Sequence, residues 1–203
     1  TVPGKNKMRW YADWIRRQVK NLGIEVKYHT KPTVDDLKKF DAVILATGGT
    51  PVKPQVPGID ESFVVPFTDV LRCKTKGCEY WPGDKEPPVE VGNKVLVWGD
   101  HYGAVDTIEK LGQAGKEIIA VTETRDFAEW MEPIQKDVLT KRMAGGNGEG
   151  LTLKQFGHPV ELHTQTTVKE IKKNGEVVLV DNEFNECTVK VDNVVLGKMG
   201  TDN

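Results

Sequence analysis

The chain is poor in cysteine and has no long apolar run. It contains three cysteines in 203 residues, an odd number that argues against a disulfide framework. No apolar run approaches the roughly 18–20 residues that a transmembrane helix needs. The formal net charge is −2, with both signs interspersed, so neither nucleic acid nor an anionic membrane surface is indicated as a partner. We therefore expect a cytoplasmic globular protein.

The first residues, TVPGKNKMRWYADW, also lack an initiator methionine and the apolar stretch of a signal peptide. We expect a fragment of a longer protein or a processed chain. Apolar residues make up 38% of the sequence, which is enough for one packed core or for two small lobes that share an interface.

The most informative segment is DAVILATGGTPVKPQVPG, residues 41–58. An apolar run over residues 42–45 leads into a Thr-Gly-Gly turn at 47–49. Three prolines follow at three-residue spacing, and Gly58 closes the segment. The pattern T-G-x-x-P-x-x-P-x-x-P-G predicts a buried strand, a sharp turn and then an extended connection whose prolines fix φ and withhold backbone donors.

The rest of the sequence predicts alternating helices and strands. Helical spacing of apolar residues indicates a helix over 8–22, followed by the strand GIEVKYH and a short helix from Asp35. After a loop-like stretch over 57–92, KVLVW (94–98), a turn, a helix over 104–114 and EIIAV (117–121) form a β-turn-α-β unit typical of nucleotide-binding folds. A further helix is predicted near 133–143. The tail then predicts a meander from PVELHT, TVKEI, EVVLV, CTVKV and NVVL.

This order of elements, with the motif at 41–58, resembles the pyridine nucleotide–disulfide oxidoreductase fold family. Within it, the chain is most similar to the C-terminal part of NADH:flavin oxidoreductases that resemble 2,4-dienoyl-CoA reductase and trimethylamine dehydrogenase. The resemblance implies an α/β, Rossmann-like three-layer nucleotide-binding fold with a parallel sheet and a β-meander. It divides the chain into a partial FAD-binding domain (1–60 and 193–203), a linker (61–92) and an inserted NAD(P)- or ADP-binding-like domain (93–192).

The same resemblance implies that the intact protein binds FAD and NAD(P) or ADP. Thr47, Gly48 and Gly49 match the turn that approaches the flavin. The first βαβ unit, whose Gly-rich turn would hold the FAD pyrophosphate, is missing, as is the (β/α)8 barrel that carries FMN and an iron–sulfur cluster. We therefore expect the isolated chain to bind little or no FAD, and its partners to be these missing parts.

A nucleotide turn is predicted at WGDHYGA, residues 98–104. Three glycines usually supply the tight turn, the close approach to a diphosphate and the helix–strand packing. With Gly99 first, His101 takes the second position and Ala104 the third; with Gly103 third, a tryptophan and an aspartate take the first two. Either register lacks the central glycine, so the segment is a nucleotide site of altered geometry or a unit that only packs. The candidate contacts are Gly99, Asp100, His101, Tyr102, Gly103 and Ala104.

The acid expected on the ribose falls at Thr122, with Glu123 adjacent. Glu123 would favour an unphosphorylated ribose, whereas Arg125 could accommodate a 2′-phosphate; a surface carboxylate at a strand end is the alternative. Asp106 lies where the family often has a glutamate that faces the nicotinamide. Its other interpretation is an acid in the first helical turn, stabilised by the helix dipole.

Two cysteines, Cys73 and Cys78, have C-x4-C spacing among cationic neighbours, which would lower a thiol pKa. They are either a redox pair or two unremarkable loop thiols. Further zinc ligands are not apparent, and no metal site is predicted.

Two functions follow from these features. The first is a part of a flavin-dependent oxidoreductase that positions FAD and a pyridine nucleotide for electron transfer, in which catalysis belongs to the cofactors rather than to named side chains. The second is a non-catalytic ADP-binding or scaffold domain with a degenerate nucleotide site.

Overall fold

The computed structural model describes residues 5–72, 88–145 and 156–200. In chain order its elements are α1 (Asn6–Asn21), α2 (Val34–Leu37), β1 (Thr50–Pro51), β2 (Val64–Pro66), α3 (Phe67–Leu71), β3 (Lys94–Trp98), α4 (Tyr102–Gln113), β4 (Glu117–Val121), α5 (Pro133–Met143), β5 (Glu161–His163), β6 (Thr166–Ile171), β7 (Glu176–Asp181), β8 (Glu186–Lys190), β9 (Asn193–Leu196) and β10 (Met199–Gly200). None of the helices in these ranges is long and apolar enough to cross a bilayer.

A five-stranded parallel sheet, in the order β2-β9-β3-β4-β5, forms the centre of the fold. Successive side chains of a strand point to opposite faces, and both faces of this sheet are covered. Val95 and Val97 of β3 pack with the helices α4 and α5, whereas Leu96 and Trp98 pack with the antiparallel sheet β6-β7-β8. The molecule therefore has three layers, and the predicted Rossmann-like α/β class is confirmed.

The predicted meander is only partly right. Strands β6, β7 and β8 pair antiparallel, as expected. PVELHT and NVVL instead supply β5, at one edge of the parallel sheet, and β9, between β2 and β3. Val194 and Val195 of β9 are both fully buried, because a strand inside a covered parallel sheet is apolar on both faces rather than on alternate residues. The division of the chain into domains stays a prediction, although β9, from segment 193–203, lies inside this sheet.

The N-terminal segment forms helix α1 but neither of its two predicted strands. Residues 23–29 and 42–46 pair with no strand in the described parts of the chain, and Ile44 and Leu45 are 91% and 79% exposed. A strand is stable only when neighbouring strands satisfy its backbone groups and cover its apolar face. Among the described residues no strand pairs with either segment, so the apolar run is present without a sheet.

The proline segment connects this region to the sheets. Thr50 and Pro51 (β1) pair with β10, and the carbonyl of Pro57 accepts a hydrogen bond of 2.9 Å from the amide of Ile171 in β6. The prediction that all of 57–92 is loop-like is wrong for residues 64–71, which form β2 and α3. The apolar run here, VVPF over residues 64–67, is too short to be distinguished from a loop by periodicity.

The start of β3 is held by Asp192, which predicts an acid-sensitive contribution to stability. Its Oδ2 accepts hydrogen bonds from the amides of Lys94 (2.9 Å) and Asn93 (2.7 Å), which lower the pKa of this carboxyl. A folded-state pKa below the unfolded value of about 3.9 gives stability that is present above that pH and is lost as the pH falls through the folded-state pKa. Asp192→Asn should therefore destabilise the protein most near neutral pH.

Urea unfolding of both proteins between pH 7 and pH 2 measures this contribution. The difference between their free energies of unfolding should narrow below about pH 4. A difference that stays constant over the whole range would contradict a stabilising role for the ionised Asp192.

Candidate functional site

The carboxyl edge of the parallel sheet contains a topological switch point. From β3 the chain proceeds to β4 and β5 on one side, whereas β9 and β2 lie on the other, so the strand order reverses between β3 and β9. Open α/β sheets bind ligands in the crevice outside the strand ends at such a point. Three residues follow the strands there: Gly99 after β3, Glu123 after β4 and Lys198 after β9.

The turn after β3, at the predicted nucleotide site, leads through a left-handed glycine directly into helix α4. Gly99 has φ of +120°, a conformation that side-chain-bearing residues rarely adopt, and its amide donates to the carbonyl of Val121 at 2.8 Å. Helix α4 begins at Tyr102, two residues before the predicted start, with His101 as an extended N-cap (φ −71°, ψ 171°) whose side chain makes no capping bond. Gly99 is therefore the turn glycine, and His101 stands at the helix N-terminus.

Close packing around the start of α4 uses both Gly103 and Ala104. A Cβ on Gly103 would lie 2.5 Å from the ring of Phe67 in α3. Ala104 instead packs on Gly197, where an added Cβ would lie 2.5 Å from the Ala104 Cβ. The close helix–strand packing that the third glycine usually allows is thus retained. Here the glycine is Gly197, which follows β9, and the helix contributes Ala104. Gly197 was not identified from the sequence.

An aromatic cluster of His101, Tyr102 and Trp130 flanks the N-terminus of α4. The ring centroids of Tyr102 and Trp130 are 4.0 Å apart, and the His101 ring lies 5.4 Å from Tyr102 and 5.8 Å from Trp130. All three side chains are exposed. Trp130 is fixed by a 2.9 Å hydrogen bond from its Nε1 to the carbonyl of Asp100. The three rings are inclined to one another, with interplanar angles of 38–89°, so the cluster presents exposed aromatic faces and edges beside the site.

Asp100 connects the nucleotide turn to the loop after β4. Its Oδ2 accepts hydrogen bonds from Thr124 Oγ1 (2.8 Å) and from the amide of Ala128 (3.2 Å). Asp106, five residues into α4, is in a partly buried ion pair with Lys5 just before α1. Both carboxylates therefore have protein partners in this structure.

The predicted ribose end of the site holds an ion pair. Lys198 Nζ donates to Glu123 Oε2 at 2.8 Å, and Thr167 Oγ1 donates to Oε1 at 2.9 Å. Partial burial acts to raise the pKa of Glu123, but these two hydrogen bonds outweigh it and lower the pKa. Thr122 is buried and bonded to Thr124, whereas Arg125 is exposed. Glu123, rather than Thr122, therefore presents its side chain at the edge.

The two predicted cofactor turns differ in how well they fit a ligand. The α4 turn fits a diphosphate, because the amides of a first helical turn have no intrahelical acceptor and the helix dipole favours an anion there. Thr47 and Gly48 are exposed and follow no strand; a Cβ on Gly48 would have no neighbour within 4 Å. Thr47, Gly48 and Gly49 therefore form no cradle for FAD among the described residues.

Other candidate chemistry is limited in the described ranges. There, no group of three or more His, Cys, Asp or Glu side chains is arranged to hold a metal ion. Cys187 is an exposed free thiol in β8, and Cys73 and Cys78 lie outside the described residues.

Two further residues of the site, Lys198 and Trp130, were missed from the sequence. Lys198 would have been found by placing β9 in the parallel sheet, whereas Trp130 lies in an irregular loop that gives no periodic signal.

Curated proteins with similar sequences are oxidoreductases. An NADH oxidase of Thermoanaerobacter brockii is 30% identical over 138 residues, covering 66% of this chain and 19% of that protein. A metal reductase of Desulforamulus reducens is 26% identical over 220 residues, covering 96% of this chain and 30% of that protein. The chain thus spans less than a third of the length of these relatives.

A solved structure and a family model agree with this similarity. The structure of a 2-naphthoyl-CoA reductase in complex with 2-naphthoyl-CoA superposes with a TM-score of 0.66 at 24% identity, over 92% of this chain and 25% of that one, and shows a shared fold. The family model described as pyridine nucleotide-disulphide oxidoreductase matches residues 15–200. The chain belongs to the pyridine nucleotide-disulphide oxidoreductase family.

Proposed function

We propose that this chain is part of a flavin-dependent oxidoreductase that resembles 2,4-dienoyl-CoA reductase and trimethylamine dehydrogenase, and that it positions a pyridine nucleotide and FAD for electron transfer. The family implies FAD and NAD(P) in the intact protein. The observation that carries the proposal is the Gly99 turn, which joins β3 to the N-terminus of α4 at the switch point of a parallel sheet. When bound, the cofactors supply the hydride and electron chemistry.

Each part of the site has a role in this proposal. The first-turn amides of α4 bind the diphosphate, and the aromatic cluster offers a face on which a base can stack. Glu123, Arg125 and Lys198 lie at the ribose end. His101 stands where the family has a glycine, so its Cβ and ring limit how closely a diphosphate can approach the turn.

FAD requires residues beyond those described here. Of the twenty large hydrophobic side chains that are exposed in the described residues, fifteen lie between Met8 and Val52. An apolar surface of this extent is characteristic of an interface. We propose that it packs against the first βαβ unit of the FAD domain and that a barrel domain completes the protein. In that assembly Thr47, Gly48 and Gly49 would approach the flavin.

A second candidate is a non-catalytic domain that binds ADP or serves as a scaffold. His101 in place of the central glycine favours it, because a side chain then stands at the N-cap of α4, next in sequence to the amides that would bind a diphosphate. The two candidates predict different ligands, since only the first needs a complete pyridine dinucleotide.

Calorimetric titration of the full chain with NADH, NADPH and ADP separates these candidates. The oxidoreductase proposal predicts binding of a reduced dinucleotide by the unmodified chain. His101→Gly should tighten that binding about tenfold, because a closer approach to the amides becomes possible. His158→Gly, at an exposed position in segment 156–160, is the matched control and should leave the affinity unchanged.

The outcomes of this titration distinguish the oxidoreductase from the scaffold function. Tight binding of NADH or NADPH by the unmodified chain would exclude the scaffold function. Binding of ADP alone, or dinucleotide binding that appears only in His101→Gly, would exclude hydride delivery at this site.

A further inference from the structure

Lys198 spans the switch-point crevice from one side to the other. Its carbonyl accepts a 3.0 Å hydrogen bond from the amide of Val52, so its backbone is fixed between β9 and the proline segment. Its side chain runs beside the nucleotide turn, since a Cβ on Gly99 would lie 3.1 Å from Lys198 Cγ. Its Nζ then reaches Glu123 at 2.8 Å. The side chain therefore crosses the end of β3, from the end of β9 to the end of β4.

The ion pair with Lys198 changes the charge and the hydrogen-bond acceptors that Glu123 presents to a ligand. A free carboxylate at the end of the second strand accepts hydrogen bonds from the ribose hydroxyls and repels a 2′-phosphate. Here each oxygen of Glu123 already accepts a hydrogen bond, from Lys198 and from Thr167. Arg125 is exposed two positions further along the same loop, so Lys198 and Arg125 place two cations beside the single carboxylate of Glu123. The next residue, Asp126, is in an ion pair with Lys136.

We infer that Lys198 determines nucleotide specificity at this site: by engaging Glu123, it makes the site prefer a 2′-phosphorylated adenine nucleotide over an unphosphorylated one. The inference rests on the proposed function, because it requires an adenine nucleotide at the switch point. Lys198 acts here through Glu123, as a positioning residue. Removing the Lys198 side chain both frees the Glu123 carboxylate and takes one cation away from the crevice.

The experiment measures the affinities of the full chain for 2′,5′-ADP and for 5′-ADP. The unmodified chain should bind 2′,5′-ADP more tightly. Lys198→Met should shift the ratio of the two affinities about tenfold towards 5′-ADP, since a nearby unpaired carboxylate disfavours the added phosphate. Lys198→Arg keeps the charge and should keep the original ratio.

The double variant Lys198→Met/Glu123→Gln tests the route through Glu123. Removing the carboxylate as well should restore the preference for 2′,5′-ADP, which a purely structural role for Lys198 would not produce. Glu123→Gln alone, which retains both cations, should keep or increase that preference. It also provides a second test if Lys198→Met fails to fold.

The outcomes distinguish this inference from the proposed function. If both ligands bind but Lys198→Met leaves their affinity ratio unchanged, or weakens both equally, the specificity role is wrong and the nucleotide site stands. A double variant that retains the altered ratio would also overturn the role assigned to Glu123. If neither the unmodified chain nor His101→Gly binds either ligand, the nucleotide site itself is wrong and the inference falls with it.

Discussion

Replacement of Gly58 by alanine is expected to lower the free energy of unfolding by about 3 kcal/mol or more. Gly58 has φ of +81°, and a Cβ there would lie 1.7 Å from the carbonyl oxygen of Ile171 in β6. The neighbouring carbonyl of Pro57 accepts the Ile171 amide, so the two segments cannot separate without breaking that hydrogen bond. Urea or guanidinium unfolding followed by circular dichroism measures the loss.

Gly48→Ala is the matched control for this prediction. Gly48 has nearly the same φ, +79°, but a Cβ there would meet no atom within 4 Å. Its replacement therefore carries only the cost of a left-handed conformation, about 1–2 kcal/mol. Equal losses in the two variants would show that the close contact with Ile171 contributes nothing.

Gly58 also illustrates what the sequence could and could not predict about the fold. The proline-rich motif predicted that a glycine ends an extended connection, because turn and proline chemistry is local. The contact that requires a glycine there involves a residue 113 positions further along the chain. Likewise, β3 and β4 begin and end where predicted, since each is a short apolar run bounded by polar residues and glycine.

Predictions failed where an element's environment depends on distant segments. The local pattern of NVVL predicts a strand of the meander, but its place between β2 and β3 is set by burial on both faces. The run at 42–46 has a strand's composition and remains exposed, because composition alone supplies no pairing partner. A local pattern thus indicates what a segment can form, and its neighbours decide whether it does.

The distinction between local patterns and distant contacts also applies to the candidate site. Gly99 and His101 could be found because they lie within one contiguous turn. The ion pair between Glu123 and Lys198 joins residues 75 positions apart, and Trp130 reaches Asp100 across 30 positions. The side chains that lie beside the turn therefore come from neighbouring strand ends and loops, which sequence spacing does not reveal.

A second large loss of stability is expected at Arg142 in helix α5, whose side chain is only 3% exposed. Its two terminal nitrogens each donate to one carboxylate oxygen of Glu109 in α4, both at 2.5 Å, and its guanidinium lies 5.0 Å from the ring centroid of Phe156. Arg142→Met leaves the carboxylate of Glu109, whose side chain is 13% exposed, without its cation. The free energy of unfolding at pH 7 should fall by about 3–5 kcal/mol.

The companion variants separate the missing charge from the missing packing. Arg142→Met/Glu109→Met replaces both partners with apolar side chains and should recover much of the lost stability, because no buried carboxylate remains unpaired. The control is Lys141→Ala, at the position before Arg142, which removes an exposed ion pair with Asp137. It should lower the free energy of unfolding by only about 0.3–0.5 kcal/mol. A double variant as unstable as Arg142→Met would show that packing, not the charge of Glu109, causes the loss.

The pH dependence of Arg142→Met provides an independent test of the same cause. Burial already raises the pKa of Glu109, against the opposing effect of the Arg142 guanidinium, and removing that cation should raise it further. A carboxyl whose folded-state pKa is raised favours folding below its unfolded pKa of about 4.3, and this contribution is lost as the pH rises through the folded-state value. Arg142→Met should therefore lose stability relative to the unmodified chain as the pH is raised from about 4 to 7. Arg142→Met/Glu109→Met, with no carboxyl at this position, should not show that pH-dependent loss.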